Sequence, residues 1–266
     1  QLDLLEVICE INGPLEKTEK VIQAFKQANP DFNLKMLYSN IASASHARNL
    51  GLENAQREFL VFVDDDDIIS DHYLADMYAL SAANTVVFSY IHDLNEQGVI
   101  LKDTSISQQL IPNSHNLNLN GLSSAVTMIA SKMSPTADVR QIKFDPQLKS
   151  GEDVSFFVEY MVKFNPQFKL VADTDCAYIR RITDNSVSRQ PMSFNFNVEQ
   201  RLDVIKSLDT INLTYPNLLD GFIISKMKAQ IGFVARYLIE HPQDLDRVVA
   251  EVIQRKIYNF PYPYFW

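Results

Sequence analysis

The chain has 266 residues, 46% hydrophobic and 21% charged, with a net charge of −9. That length suits one large domain or a domain with an appendage, and the acidic balance argues against generic binding to nucleic acid or to an anionic membrane. Two cysteines, Cys9 and Cys176, give no disulfide framework and fit a reducing cytoplasm, while the five histidines lack zinc-ligand spacing. No apolar run reaches the ~20 residues a membrane span needs. The longest, "GFIISKMKAQIGFVARYLIE", is interrupted by Lys226, Lys228 and Arg236. No secretory signal opens the sequence, and a start at Gln1 rather than Met leaves a missing or processed N-terminus as the expectation.

In chain order, "LLEVICEI" reads as a buried strand closed by the turn "NGP". The spacing of Leu15, Val21, Ile22, Phe25 and Ala28 predicts a helix over 15–28 that stops before Pro30. "LKMLY" reads as a second strand and "SASHARNLGLENAQ" as a helix. The unbroken apolar run "FLVFV" predicts a strand covered on both faces. A helix over "SDHYLADMYALSA" takes Ser70 or Asp71 as its cap, and "TVVFSYI" is a fourth strand. Alternating strands and helices indicate an α/β fold with a mainly parallel central sheet. "SISQQLIPNSHNLNLNGLSS" has no long period and reads as a loop-rich insertion. "IKF" predicts a short strand, "GEDVSFFVEYMVKF" a turn and a helix from about Glu152, and "FKLVA" and "CAYIRRI" two more strands. Residues 1–190 are thus expected to form one α/β domain. Residues 191–266 form a helical region with helices over 198–209, 217–240 and 243–257.

Four elements carry charge in patterns that need an explanation. "FLVFVDDDD" places Asp64, Asp65, Asp66 and Asp67 at the carboxyl end of a strand, where open α/β sheets bind ligands. Adjacent carboxylates repel unless a cation or a ligand offsets them, and Mg²⁺ or Mn²⁺ favours such oxygens together with substrate phosphates. A solvated loop explains the run equally well. Arg48 lies sixteen residues before Asp64, on the helix that feeds the acidic strand. It can reach phosphate or a base edge, or simply sit on a helix surface. Glu152 and Asp153 begin a helix, either as favourable charges at its N-terminus or as a general base beside the metal. Arg180 and Arg181, with Ser186 and Ser188, make either a diphosphate site or a basic turn.

Taken together, these stretches resemble family 2 glycosyltransferases of the GT-A fold. "ARNLGLENAQREFLVFVDDDD" is similar to their "ARNxGLxxAxGEyixFlDxDD", "FDPQLKSGEDVSFFVEYMV" to "FdexlxxgEDxxF", and "AYIRRITDNSVS" to "YyYRxrxxSxS". The resemblance covers about residues 4–188. It implies an inverting, metal-dependent transferase that moves a sugar from a nucleotide-diphosphate donor, in the usual case a UDP-sugar, to a saccharide or other hydroxyl acceptor. It implies Asp66 as direct ligand of Mn²⁺ or Mg²⁺, with Asp64 and Asp65 facing the ribose or donor sugar and Asp64 also near the metal. It further implies Asp153 as catalytic base with Glu152 beside it, Arg48 at the nucleotide, and Arg180 and Arg181 at the diphosphate. Surface-polysaccharide assembly at the cytoplasmic face of a membrane is the usual setting.

The sequence departs from the family pattern at "EVICEINGP", which aligns with the family's second strand "vDDgS". The family's first strand is then expected to be absent from this sequence. Ile11 and Asn12 replace the base-side aspartates, leaving Asn12 or Glu10 to meet the base. Arg57 also replaces a glycine before Glu58. These departures keep two rivals open: an inactive scaffold with this fold, and another metal-dependent phosphate enzyme such as a nucleotidyltransferase. The tail "NFPYPYFW" carries five aromatics and is expected to pack onto the protein's own helices. The alternative is a contact within a homo-oligomer or peripheral association with a membrane interface.

Overall fold

The computed structural model describes residues 4–12, 15–113, 117–119, 121–182 and 191–261. Strand β1 (Val7–Asn12), helix α1 (Leu15–Ala28) and strand β2 (Leu34–Ser39) open the chain as a β-α-β unit, the two strands paired in parallel. Helix α2 (Ala44–Asn54) follows, its first turn capped by the Ser43 hydroxyl, which accepts from the His46 N–H at 3.3 Å. Next come β3 (Phe59–Leu60), β4 (Ile68–Ile69), α3 (Tyr73–Leu80), β5 (Thr85–Phe88), β6 (Tyr90–Leu94) and β7 (Ile100–Leu101). The middle supplies α4 (Ser105–Asn113), α5 (Ser123–Thr127), β8 (Lys132–Pro135) and α6 (Thr136–Val139). Helix α7 (Glu152–Phe164), β9 (Gln167–Leu170) and β10 (Ala177–Arg181) complete the α/β part. A π-helical turn, Asn195–Glu199, then leads into α8 (Gln200–Thr214), α9 (Asp220–Glu240) and α10 (Leu245–Gln254).

The α/β layering and the helical C-terminal part are those expected, but the pairing is mixed rather than mainly parallel. Besides β1–β2, the strands form two four-stranded sheets ordered β4-β10-β6-β7 and β3-β8-β5-β9. Three pairings are parallel (β1–β2, β6–β10, β5–β9) and four antiparallel (β3–β8, β5–β8, β4–β10, β6–β7). Of the antiparallel pairings only β6–β7 is a local hairpin; the other three join strands far apart in the chain. Gly98, at φ 78°, closes the β6–β7 hairpin with its N–H on the Asn95 carbonyl at 3.0 Å.

Several local readings shift for identifiable reasons. "TVVFSYI" is two strands: the buried Ser89 gives its N–H to the Ser131 carbonyl, and the chain passes from one sheet to the other at that residue. "FLVFV" pairs only through Phe59 and Leu60, opposite Pro135 and Ser134, and Val63 is 47% exposed. "IKF" is not a strand. Asn49 of α2 takes both backbone groups of Phe144, donating to its carbonyl at 2.8 Å and accepting its N–H at 2.9 Å. Part of the presumed loop 105–124 is helical. Thr104 caps α4 by accepting the Ser107 N–H at 3.1 Å, and Ile106 and Leu110 bury one helical face. Neither Ser70 nor Asp71 caps α3, whose cap position is His72; the Ser70 hydroxyl instead accepts the Ala177 N–H of β10 at 3.0 Å.

One hydrophobic cluster runs through both parts of the chain. Phe156, Phe157 and Tyr160 of α7 share it with Leu202, Val204, Ile205 and Leu208 of α8 and Met227 and Ile231 of α9. The start of the aromatic tail joins it through the buried Phe260, after the backbone of Tyr258 and Asn259 has docked on the Asp209 carboxylate at 2.8 and 3.0 Å. The rest of the tail, 262–266, lies outside the described residues, as do Ser186 and Ser188. Among the described residues no helix is long and apolar enough to cross a membrane.

Candidate active site

The acidic run leaves β3 and turns back at once, the Asp67 N–H bonding the Asp64 carbonyl at 3.1 Å. Strand β10 holds this turn. The Tyr178 hydroxyl accepts the Asp64 N–H at 3.0 Å and also bonds the Asp67 carboxylate. Asp67 further accepts the Arg181 N–H at 2.8 Å, and Arg181 Nε donates to the Asp66 carbonyl at 3.2 Å. The four aspartates therefore divide by role. Burial raises the Asp67 pKa against the pull of these donors, whereas Asp65 and Asp66 stand exposed.

Arg48 joins this turn to the second acidic pair. Its guanidinium donates to Glu152 at 2.6 Å and to Asp64 at 3.2 Å, with 17% of the side chain exposed. Its Cζ lies 5.6 Å from the centre of the Phe144 ring, which stacks on Phe156 at 3.8 Å and meets Phe62 edge-on at 5.6 Å. The Asn49 clamp on Phe144 thus fixes the floor under Arg48. Burial would lower the Arg48 pKa, but Asp64 and Glu152 outweigh it and raise it. Asp153, next to Glu152 at the head of α7, accepts the Val154 N–H at 2.8 Å. Burial, then the Glu152 charge, push its carboxyl up to about 6, against the opposing pull of that bond, Arg48 and Lys132.

The other expected residues divide. Arg181 lies over the acidic turn, while Arg180 turns to Asp93 of β6, giving Nε and Nη2 to one carboxylate oxygen at 2.9 and 2.7 Å. Asn12 is tied to the cap of α2 through the Ser43 carbonyl at 3.1 Å. Glu10, on the same face of β1 two residues earlier, has both carboxylate oxygens buried without a protein partner. Burial raises its pKa, opposed by His46 of α2. Two oxygens left in this way cost free energy unless a ligand donates to them.

Three groups were not singled out by sequence reasoning. Tyr178 stands in the strand quoted for its arginines. Lys132, 3% exposed, follows an apolar run; its ammonium caps α5 on the Ala125 and Met128 carbonyls, also reaches the Ala130 carbonyl, and lies 4.2 Å from the Phe157 ring centre. Burial lowers its pKa to about 7. Arg201 falls at helical spacing with Val198, Leu202 and Ile205, a signal in the sequence that it faces the core.

The donor set suits a hard divalent cation. Asp66 offers an exposed carboxylate, and Asp64 the oxygen that Arg48 leaves free. Among the described residues no three His, Cys, Asp or Glu side chains converge to hold an ion by themselves. Such an ion would complete its shell from a phosphate-bearing ligand and water, as Mg²⁺ and Mn²⁺ commonly do.

Comparison with known proteins bears on the family and the fold. Residues 1–132 match the family model described as Glycosyl transferase family 2. The chain is 25% identical over 272 aligned positions to the poly(ribitol-phosphate) beta-N-acetylglucosaminyltransferase TarP of Staphylococcus aureus, covering 91% of this chain and 80% of that protein. To the enzyme of the same description named TarS, also of Staphylococcus aureus, it is 26% identical over 161 positions, 56% of this chain and 26% of TarS. The crystal structure of S. aureus TarS 1-349 matches 96% of this chain and 72% of its own, with a TM-score of 0.69 and 19% identity. Its complex with UDP matches 96% and 73%, with a TM-score of 0.65 and 18% identity. The shared fold is the GT-A-like one that the sequence resemblance implied.

Proposed function

We propose, from the premise that residues 1–132 are a family 2 glycosyltransferase domain, that the chain moves a sugar from a UDP-sugar to a hydroxyl of a polyol-phosphate or glycan acceptor, with inversion at the anomeric carbon. The observation that carries this reading is Arg48, whose one guanidinium ties the acidic turn to the Glu152–Asp153 pair at 3.2 and 2.6 Å. A donor-side carboxylate and the end of the helix that carries the base are thereby held in a fixed relation, which transfer between two bound substrates requires.

Asp153, with a pKa of about 6, is largely ionised at neutral pH and basic enough to take the proton of the acceptor hydroxyl. Glu152 and Asp64 are occupied by Arg48 and position rather than react. Arg181, exposed over the acidic turn, is the arginine placed to approach a diphosphate, whereas Arg180 is held by Asp93. Glu10 supplies the acceptor oxygens for the N–H of a base, taking the part expected of Asn12, which Ser43 holds. Mn²⁺ or Mg²⁺ on Asp66 and Asp64 would supply charge stabilisation to the departing diphosphate. The names of the relatives put UDP-N-acetylglucosamine and poly(ribitol-phosphate) first among the substrates to try.

The test is UDP release from UDP-N-acetylglucosamine with Mn²⁺, with and without poly(ribitol-phosphate), and the anomeric configuration of the product. Acceptor-dependent release with a β product supports the reading. An α product refutes inversion. If calorimetry detects no binding of any nucleotide-sugar with Mn²⁺, the scaffold reading replaces it.

A further inference from the structure

We propose that the C-terminal helices are a working part of the transfer site, and that Arg201 of α8 is the positioning residue that seats the turn Ser150–Gly151 and so aims the Asp153 carboxylate. The inference rests on Asp153 being the base. Arg201 is 6% exposed, and a guanidinium so buried is costly unless its N–H groups find partners. Its Nε donates to the Phe196 carbonyl at 3.2 Å, Nη1 to the Gln230 amide oxygen at 3.2 Å and Nη2 to the Ser150 hydroxyl at 2.5 Å. The rings of Phe196 and Phe233 lie 4.5 and 5.0 Å from its Cζ. Ser150 in turn donates to Gln200 at 2.6 Å. The π-helical turn, α8 and α9 therefore converge on the residue just before Gly151.

Gly151 caps α7 at φ 74°, a conformation that favours glycine. A Cβ built there would fall 2.8 Å from Val204 Cγ2 and 3.8 Å from Arg201 Nη1. The first residues of α7, Glu152 and Asp153, thus rise from a turn lying directly on α8. None of the hydrogen-bond partners of Arg201 is a carboxylate, and Asp153 and Glu152 are the carboxylates whose field it feels. The charges facing Asp153 are Glu152 on its own helix, Arg48 from α2, Lys132 from β8 and Arg201 from α8, with Lys226 of α9 acting on Lys132. Arg201 has two separable effects on the base: its fork holds the turn, and its charge favours the ionised form.

The test uses the full chain. Carbon-13 titration of the Asp153 carboxyl is followed in wild type, Arg201→Met, Arg201→Lys and Ser150→Ala. Kinetics are measured with UDP-N-acetylglucosamine, Mn²⁺ and poly(ribitol-phosphate). Arg201→Met is expected to raise the Asp153 midpoint by about 0.5–1 pH unit and to move the acidic limb of kcat with it. Its kcat should fall by about ten-fold or more, with donor KM nearly unchanged. Arg201→Lys should restore the midpoint but not kcat, because one ammonium cannot reproduce the three-armed fork. Ser150→Ala should leave the midpoint in place and lower kcat several-fold. An unmoved midpoint in a folded Arg201→Met overturns the proposal, as does a parallel loss of kcat and donor affinity, the mark of general loosening. If Arg201→Met does not fold, wild-type kcat in Ser150→Ala overturns it. Asp153→Asn in the same assay separates the premise: native turnover there refutes Asp153 as base, whatever Arg201 does.

Discussion

Asp153→Asn should cost activity and add stability, and the two effects have one cause. Burial pushes the Asp153 carboxyl up to about 6, from an ordinary aspartate value of 3.8. At about 1.4 kcal/mol per unit, the ionised side chain costs the folded state up to about 3 kcal/mol. A group whose folded pKa is raised contributes stability that is fully present below the unfolded value and is lost as pH rises through the folded one. Asparagine mimics the protonated form and can keep the acceptor for the Val154 N–H. The variant should therefore match wild type near pH ~4 and exceed it above pH ~6. A chain of this size gains about 2–4 °C in Tm per kcal/mol, so a rise of several degrees is the upper limit. Transfer should fall ~10²–10⁴-fold, and wild-type kcat should climb through pH ~6 to a plateau as the base ionises. Thermal melts at the two pH values and UDP-release rates test both halves. A Tm difference equal at both pH values would refute the charge argument, and turnover within about ten-fold of wild type would reduce Asp153 to a residue of the helix end.

Asp66→Ala should abolish Mn²⁺-dependent binding of UDP in calorimetry while stability holds or rises, because an exposed charge leaves a run of like charges; unchanged Mn²⁺ dependence would place the ion elsewhere. Glu10→Gln should weaken UDP binding and raise stability at neutral pH, since burial raises the Glu10 pKa; that gain should vanish on acidification below about pH 4, and equal UDP affinity would remove Glu10 from base recognition. Asn49→Ala should leave the Phe144 N–H and carbonyl without partners, costing about 1–3 kcal/mol for each group that water cannot reach. A lower urea midpoint with unchanged slope, together with reduced kcat, is expected because Phe144 lies under Arg48; full activity would separate the clamp from the site.

The sequence alone determined what local pattern can encode. Helix α1 ends where Pro30 approaches, and its bounds follow from apolar spacing. The acidic run after an apolar strand, and the Glu-Asp pair at the first turn of α7, were legible because charge next to a core element is unusual. So was the resemblance of these motifs to family 2 glycosyltransferases. Pairing was not legible, because a partner's identity depends on chain returning from far away. Arg48 and Glu152 stand 104 residues apart, and nothing near Arg48 announces that bond. Arg180 and Arg181 are equivalent in sequence, yet strand alternation and the neighbour Asp93 gave them opposite employment. "FLVFV" and "IKF" have strand composition, but the first pairs only through Phe59 and Leu60, and in the second Asn49 takes both backbone groups of Phe144. Local periodicity determines which face of an element is apolar. Only the tertiary structure decided what covers that face, and so placed Arg201 from the C-terminal helices beneath the turn that carries Asp153.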